Sequence, residues 1–100
     1  MASTPDILQF CKLALRITSD AYDDEIETLI AAARLKMQVG GVLATKAADD
    51  TNALVRWAIA TYVRANFGLD NQDSEKLGES FESYVTQLKG TQEYGKTYEG

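Results

Sequence analysis

The sequence predicts an all-α fold, a single compact domain of about four helices with a flexible C-terminal tail. Three observations carry this reading. Apolar residues recur at helical spacing in three separate stretches, each marking one face of a helix, and a further stretch is apolar on nearly all sides but one narrow polar line. The only proline, Pro5, stands where a helix start accepts it. No segment alternates apolar and polar residues as a half-buried strand does. The helical domain is expected at residues 1–90 and the tail at residues 91–100.

The first helix is expected at about residues 5–16. Thr4 is its predicted N-cap, Pro5 fills the position where no N–H is needed, and Asp6 lies near the positive end of the helix dipole. Ile7, Phe10, Cys11, Ala14 and Leu15 form its stripe, which places Cys11 as a small buried hydrophobe and not a nucleophile. The second helix, about 21–39, takes Asp20 as N-cap and Asp23, Asp24 and Glu25 in its first turns. Tyr22, Ile26, Leu29, Ile30, Ala33 and Met37 form its stripe, Arg34 and Lys36 suit its C-terminal end, and Gly40-Gly41 ends it.

Residues 41–49 read as a loose turn or a lead-in. Asp49 or Asp50 is expected to cap a third helix, about 51–67, stopped by Gly68. Its polar residues Asn52, Arg56 and Arg64 form a narrow line, while Leu54, Val55, Trp57, Ala58, Ile59, Tyr62, Val63 and Phe67 cover the other faces. A helix so apolar must be buried on nearly all sides, and in so short a chain a neighbouring subunit is one source of cover. After the polar turn at residues 70–73, Asp73 or Ser74 is expected to cap a fourth helix, about 74–89. Leu77, Phe81, Tyr84, Val85 and Leu88 form its stripe, and Gly90 ends it.

Composition narrows the function. At 100 residues and 45% apolar types, the chain holds one modest core. It has no histidine, the commonest general base and metal ligand, and its one cysteine cannot build a thiolate zinc site. Neither a catalytic site nor a cofactor is therefore expected. The opening residues lack the basic and apolar regions of a secretory signal, and no apolar run approaches the ~20 residues that cross a bilayer, so no membrane partner is expected. The net charge is −5, with 10 Lys and Arg against 15 Asp and Glu, and 7 of those acids fall in residues 67–100 against 3 bases. That balance disfavours binding to DNA phosphates, and no helix is basic enough to serve as a recognition helix.

Individual motifs give little chemistry. The carboxylates Asp23, Asp24, Glu25 and Glu27 fan out by about 100° per residue, so they diverge where a metal needs convergence. Asp70, Gln72 and Ser74 imitate a calcium loop, but Glu75 stands where glycine is needed and Phe81 where glutamate is needed. Gly40-Gly41 lacks the surroundings of a phosphate cradle. Arg56 and Arg64 could touch phosphate, but pairing with nearby acids is the simpler expectation. Trp57 and Tyr62 lack a basic groove, which favours core packing over base stacking. The tail keeps one informative feature. Tyr94 and Tyr98, flanking Gly95, Lys96 and Thr97, cannot be buried locally, which fits equally a disordered end with incidental tyrosines and an arm that orders on a partner.

The chain resembles a known family. Leu15-Arg16-Ile17, a short acidic turn, Asp23-Asp24-Glu25-Ile26, Leu29-Ile30 and Ala32-Ala33-Arg34 look like the opening of the tailed-phage head–tail connector (adaptor) proteins. Residues 54–67, with Ala58 and Tyr62, are similar to their central apolar helix. The likeness covers about residues 5–90 and departs at Met37-Gln38-Val39-Gly40-Gly41, where many relatives carry an aromatic residue followed by Thr-Gly.

The resemblance implies a structural virion protein of the neck, assembled in the host cytoplasm. It implies a homo-oligomeric ring, commonly a dodecamer, between the portal protein and a tail completion or stopper protein, with DNA passing through the channel without specific binding. Arg56, Trp57 and Arg64 are then subunit-contact candidates, and Tyr94, Gly95, Lys96, Thr97 and Tyr98 candidates for gripping the portal. A small helical regulator that binds one host protein and never forms a ring is the competing expectation.

Overall fold

The computed structural model describes residues 7–68 and 73–90. They form α1 (Ile7–Leu15), α2 (Asp23–Val39), α3 (Ala44–Ala47), α4 (Ala53–Asn66) and α5 (Ser74–Gly90), with no strand among them. The expected cap at Thr4 and Pro5, the calcium-like positions at residues 70 and 72, and the tail at 91–100 lie outside the described residues.

The three expected stripes and the apolar faces of the third expected helix supply the core. Tyr22 of the second stripe is instead 47% exposed, because it precedes the first turn of α2 and packs outward on Phe67. Cys11, Ile26, Ala33, Met37, Val55, Ala58, Ile59, Val63 and Leu88 are fully buried, with Ile30, Phe81 and Val85 nearly so. α4 is the axis, packed against α1, α2 and α5 at once. Seven of its fourteen residues are buried, as a helix apolar on several sides requires. Tyr62 of α4 meets Phe81 of α5 with ring centroids 5.0 Å apart, and Tyr22 meets Phe67 edge-on at 5.5 Å. The molecule is flat, 47 × 36 × 17 Å, so its thin direction holds less than two helix diameters.

Three expected caps do not act as caps. α2 starts at Asp23, with Tyr22 at the N-cap position and no side-chain bond there. Asp20 instead accepts a hydrogen bond from Lys12 at 3.1 Å. At α4 the cap is Asn52, whose side-chain oxygen accepts from the N–H groups of Leu54 at 2.9 Å and Val55 at 3.2 Å. Such a cap contributes about 0.5–2 kcal/mol. Asp49 is engaged by the hydroxyl and N–H of Thr51, which hold its carboxyl below the usual carboxylate range. Asp50 is taken by Arg34, 2.8 Å away.

The stretch after α2 holds a short helix of its own. Arg34 secures it, donating to the Ala47 carbonyl at 2.8 Å while pairing with Asp50, and this seats Ala47 fully in the core.

α1 and α2 end in the same way with different residues. Val42 donates to the Met37 carbonyl at 2.9 Å and Gly41 to that of Gln38 at 3.0 Å, with Gly41 at φ 108°. At the end of α1, Ile17 donates to Lys12 at 2.9 Å and Arg16 to Leu13 at 3.1 Å. The left-handed residue there is Arg16, at φ 62°, where glycine is the usual occupant.

Candidate assembly interfaces

Among the described residues, two apolar surfaces remain open once the core is closed. The first lies between α1 and α4. Phe10, Leu13 and Ala14 of α1, the following Arg16, and Trp57 and Arg64 of α4 line a shallow groove. Leu13 and Trp57 stand side by side on this face, 76% and 49% exposed. The Trp57 ring meets that of Phe10 edge-on at 5.2 Å, and the Arg56 guanidinium lies 5.6 Å from the centre of the Phe10 ring. Arg56 also donates to the carbonyls of Asp50 at 3.1 Å and Thr51 at 3.2 Å, so it clasps the loop before α4 as well as the aromatic pair.

Trp57 therefore corrects the expectation of core packing. Position on α4 turns it outward between the buried Val55 and Ala58, so that about half of it stays uncovered by the described part of its own chain. Of the three subunit-contact candidates, Trp57 and Arg64 are exposed and Arg56 is half-buried. Pairing of Arg56 with an acid gives way to the two backbone carbonyls. The portal-arm candidates Tyr94, Gly95, Lys96, Thr97 and Tyr98 lie outside the described residues.

The second surface is the outer side of α2. Leu35, 62% exposed, and Val39, 80% exposed, continue a row from the exposed Ala31. Leu35 is nine residues from the buried Ile26, roughly 180° around the helix, so it faces away from the core. The exposed carboxylates Asp24 and Glu27 stand on the same side, nearer the helix start. No residue of the groove between α1 and α4 belongs to this surface. The spacing of Ala31, Leu35 and Val39 at i, i+4 and i+8 was the available signal for it, outweighed by the longer stripe that forms the core.

The titratable groups inside the fold are structural. The Lys12 side chain is nearly buried and reaches Asp23 at 2.9 Å and Asp20 at 3.1 Å, tying α1 to the start of α2. Hydrogen bonds to Asp23 and then Asp20 raise its pKa above the ordinary lysine value, against the opposing effect of burial. Burial pushes the Cys11 thiol up to about 12. Among the described residues no group of three or more His, Cys, Asp or Glu side chains is arranged to hold a metal ion.

Both shifts bind protons more tightly in the folded state. Their stabilisation is complete below the ordinary values of 9.0 for the thiol and 10.5 for the ammonium, and is lost as pH rises through the raised folded values. Melting followed by circular dichroism should accordingly weaken in the alkaline range above the ordinary thiol value. At pH 8 an aromatic disulfide reagent should label Cys11 only after denaturant is added. Rapid labelling of the native protein would place the thiol outside the core.

Among the described residues no helix is long and apolar enough to cross a membrane. Comparison with curated proteins finds no match, and comparison with solved structures finds none. A family model described as phage connector protein matches residues 7–95, which takes in every described helix and runs past Gly90. The match spans the five helices of the described residues, and the chain belongs to the phage connector protein family, whose members are structural.

Proposed function

We propose that the chain is a head–tail connector (adaptor) subunit that forms a ring in the virion neck, between the portal protein and a tail completion or stopper protein. The observation that carries this reading is the pair of uncovered apolar faces, Leu13 with Trp57 on one side and Leu35 with Val39 on another. A ring needs two different complementary faces on each subunit, because each contact joins one face to a different face of the next copy. A self-contained monomer needs neither.

Charge suits a channel that passes DNA. A dodecamer at −5 per chain totals roughly −60 before counterions are considered. Glu75, Glu79 and Glu82 form an exposed row at i, i+4 and i+7 on α5, and we assign the channel-facing charge to them. Screening confines their repulsion of phosphate to roughly 8–10 Å, enough to let a duplex slide without sticking.

The arm at residues 91–100 is assigned to the portal, with Tyr94 and Tyr98 as anchors and Gly95, Lys96 and Thr97 between them. Deleting residues 91–100 should leave the helical signal and melting temperature nearly unchanged while abolishing co-sedimentation with the portal. A deletion that unfolds the domain would make the arm part of the core and contradict the assignment. A chain that stays monomeric at saturating portal and instead binds one host protein would support the competing regulator.

A further inference from the structure

We infer that the groove between α1 and α4 receives the outer face of α2 from the next copy of the chain, with Arg16 and Arg64 meeting Asp24 and Glu27. This rests on the ring reading above and names the two faces that would meet in it.

Charge complementarity selects the pairing. The groove is lined by apolar side chains and the arginines Arg16 and Arg64, with no acid in its lining. The outer α2 face combines Ala31, Leu35 and Val39 with Asp24 and Glu27 toward the helix start, where neither carboxylate has an ion pair among the described residues. The one exposed cation beside Leu35 and Val39, Lys36, lies toward the other end. Spacing agrees. From Trp57 to Arg64 along α4 is about 10.5 Å, and from Leu35 to Glu27 along α2 is about 12 Å. Seating Leu35 beside Trp57 therefore brings Glu27 near Arg64 when the two helices run in opposite directions. A groove packed on a second groove would instead set arginine against arginine.

Arg16 adds an independent reason. Its guanidinium has no hydrogen bond or ion pair among the described residues, yet its backbone holds the left-handed conformation that Gly41 occupies at the equivalent place after α2. A side chain kept at a position where glycine is the easy choice points to work outside its own fold.

The test uses Leu13→Cys and Leu35→Cys on separately tagged full-length chains, mixed with the portal protein of the same phage genome and treated with a short bis-maleimide. The buried Cys11 stays silent in both. The expected product is the mixed dimer, and a chain carrying both substitutions should give a ladder of multimers. Arg64→Glu should weaken assembly at least about tenfold, and Glu27→Arg on the same chain should restore it. Homodimers of Leu35→Cys or of Leu13→Cys as the main product, or rings that form without any mixed dimer, would overturn the pairing while leaving the ring intact. Failure of the unsubstituted chain to form any ring on the portal would overturn the ring reading and the pairing with it.

Discussion

Ile59→Ala is expected to lower the stability of the chain by about 2–5 kcal/mol, the largest loss from any single truncation proposed for it. Ile59 is fully buried on α4, the helix that packs against α1, α2 and α5 together. Removing its outer carbons leaves a cavity bounded by several helices, and none can move in without loosening its other contacts. In a domain of this size each 1 kcal/mol shifts the melting temperature by roughly 4–8 °C, so a fall of roughly 8–40 °C should appear in a thermal melt. Since small domains have only about 5–15 kcal/mol in hand, the variant should stand near its folding limit at 37 °C. A fall under about 5 °C would show that α4 is not the axis of the core.

The second large effect separates folding from assembly. Burying a tryptophan covers about 150–250 Å². With 49% of Trp57 exposed, much of that area remains available to a neighbour. Trp57→Ala should therefore cost the monomer about 1–2 kcal/mol, well below the roughly 3–5 kcal/mol of a fully buried aromatic residue. At about 25 cal/mol per Å², the uncovered half is worth roughly 2–3 kcal/mol to every contact in a ring, and closure requires all of them. Leu13→Asp extends the test, because the side chain is 76% exposed and leaves the core untouched. Both variants should keep a cooperative melt, Leu13→Asp within a few degrees of the parent chain and Trp57→Ala roughly 4–16 °C below it. Both should fail to assemble on the portal, as measured by analytical ultracentrifugation. A collapse of the melt with assembly retained would reverse the assignment of this face.

Much of the fold was legible because three stripes at helical spacing, with one helix apolar on nearly all sides, are hard to satisfy in any other way. Cys11, Ile26, Met37 and Leu88 are buried where the stripes place them, and Ile59 where the apolar helix requires it. What escaped was settled by contacts distant in sequence. Asp20, Asp49 and Asp50 are all good capping residues in isolation, but Lys12, Thr51 and Arg34 engage their side chains, and Asn52 is left to cap α4. α3 is too short to show a period, and it is held by an arginine thirteen residues before Ala47.

The candidate surfaces were half legible. Trp57 and Arg64 stand on the exposed face, as subunit-contact candidates must, although nothing in the residue type told that Trp57 would turn outward. Leu35 and Val39 went unread because apolar periodicity marks an unburied face as readily as a buried one. Lys12 escaped for the opposite reason, a charged residue drawn inside by two carboxylates.

On the proposed reading, further copies of the chain close the apolar surface that the described residues leave open. Electron microscopy of the purified protein mixed with its portal decides the matter: a closed annulus is expected, coaxial with the portal and pierced by one channel wide enough for duplex DNA. Portal particles that remain bare at saturating chain, with the chain recovered as a monomer, would contradict it.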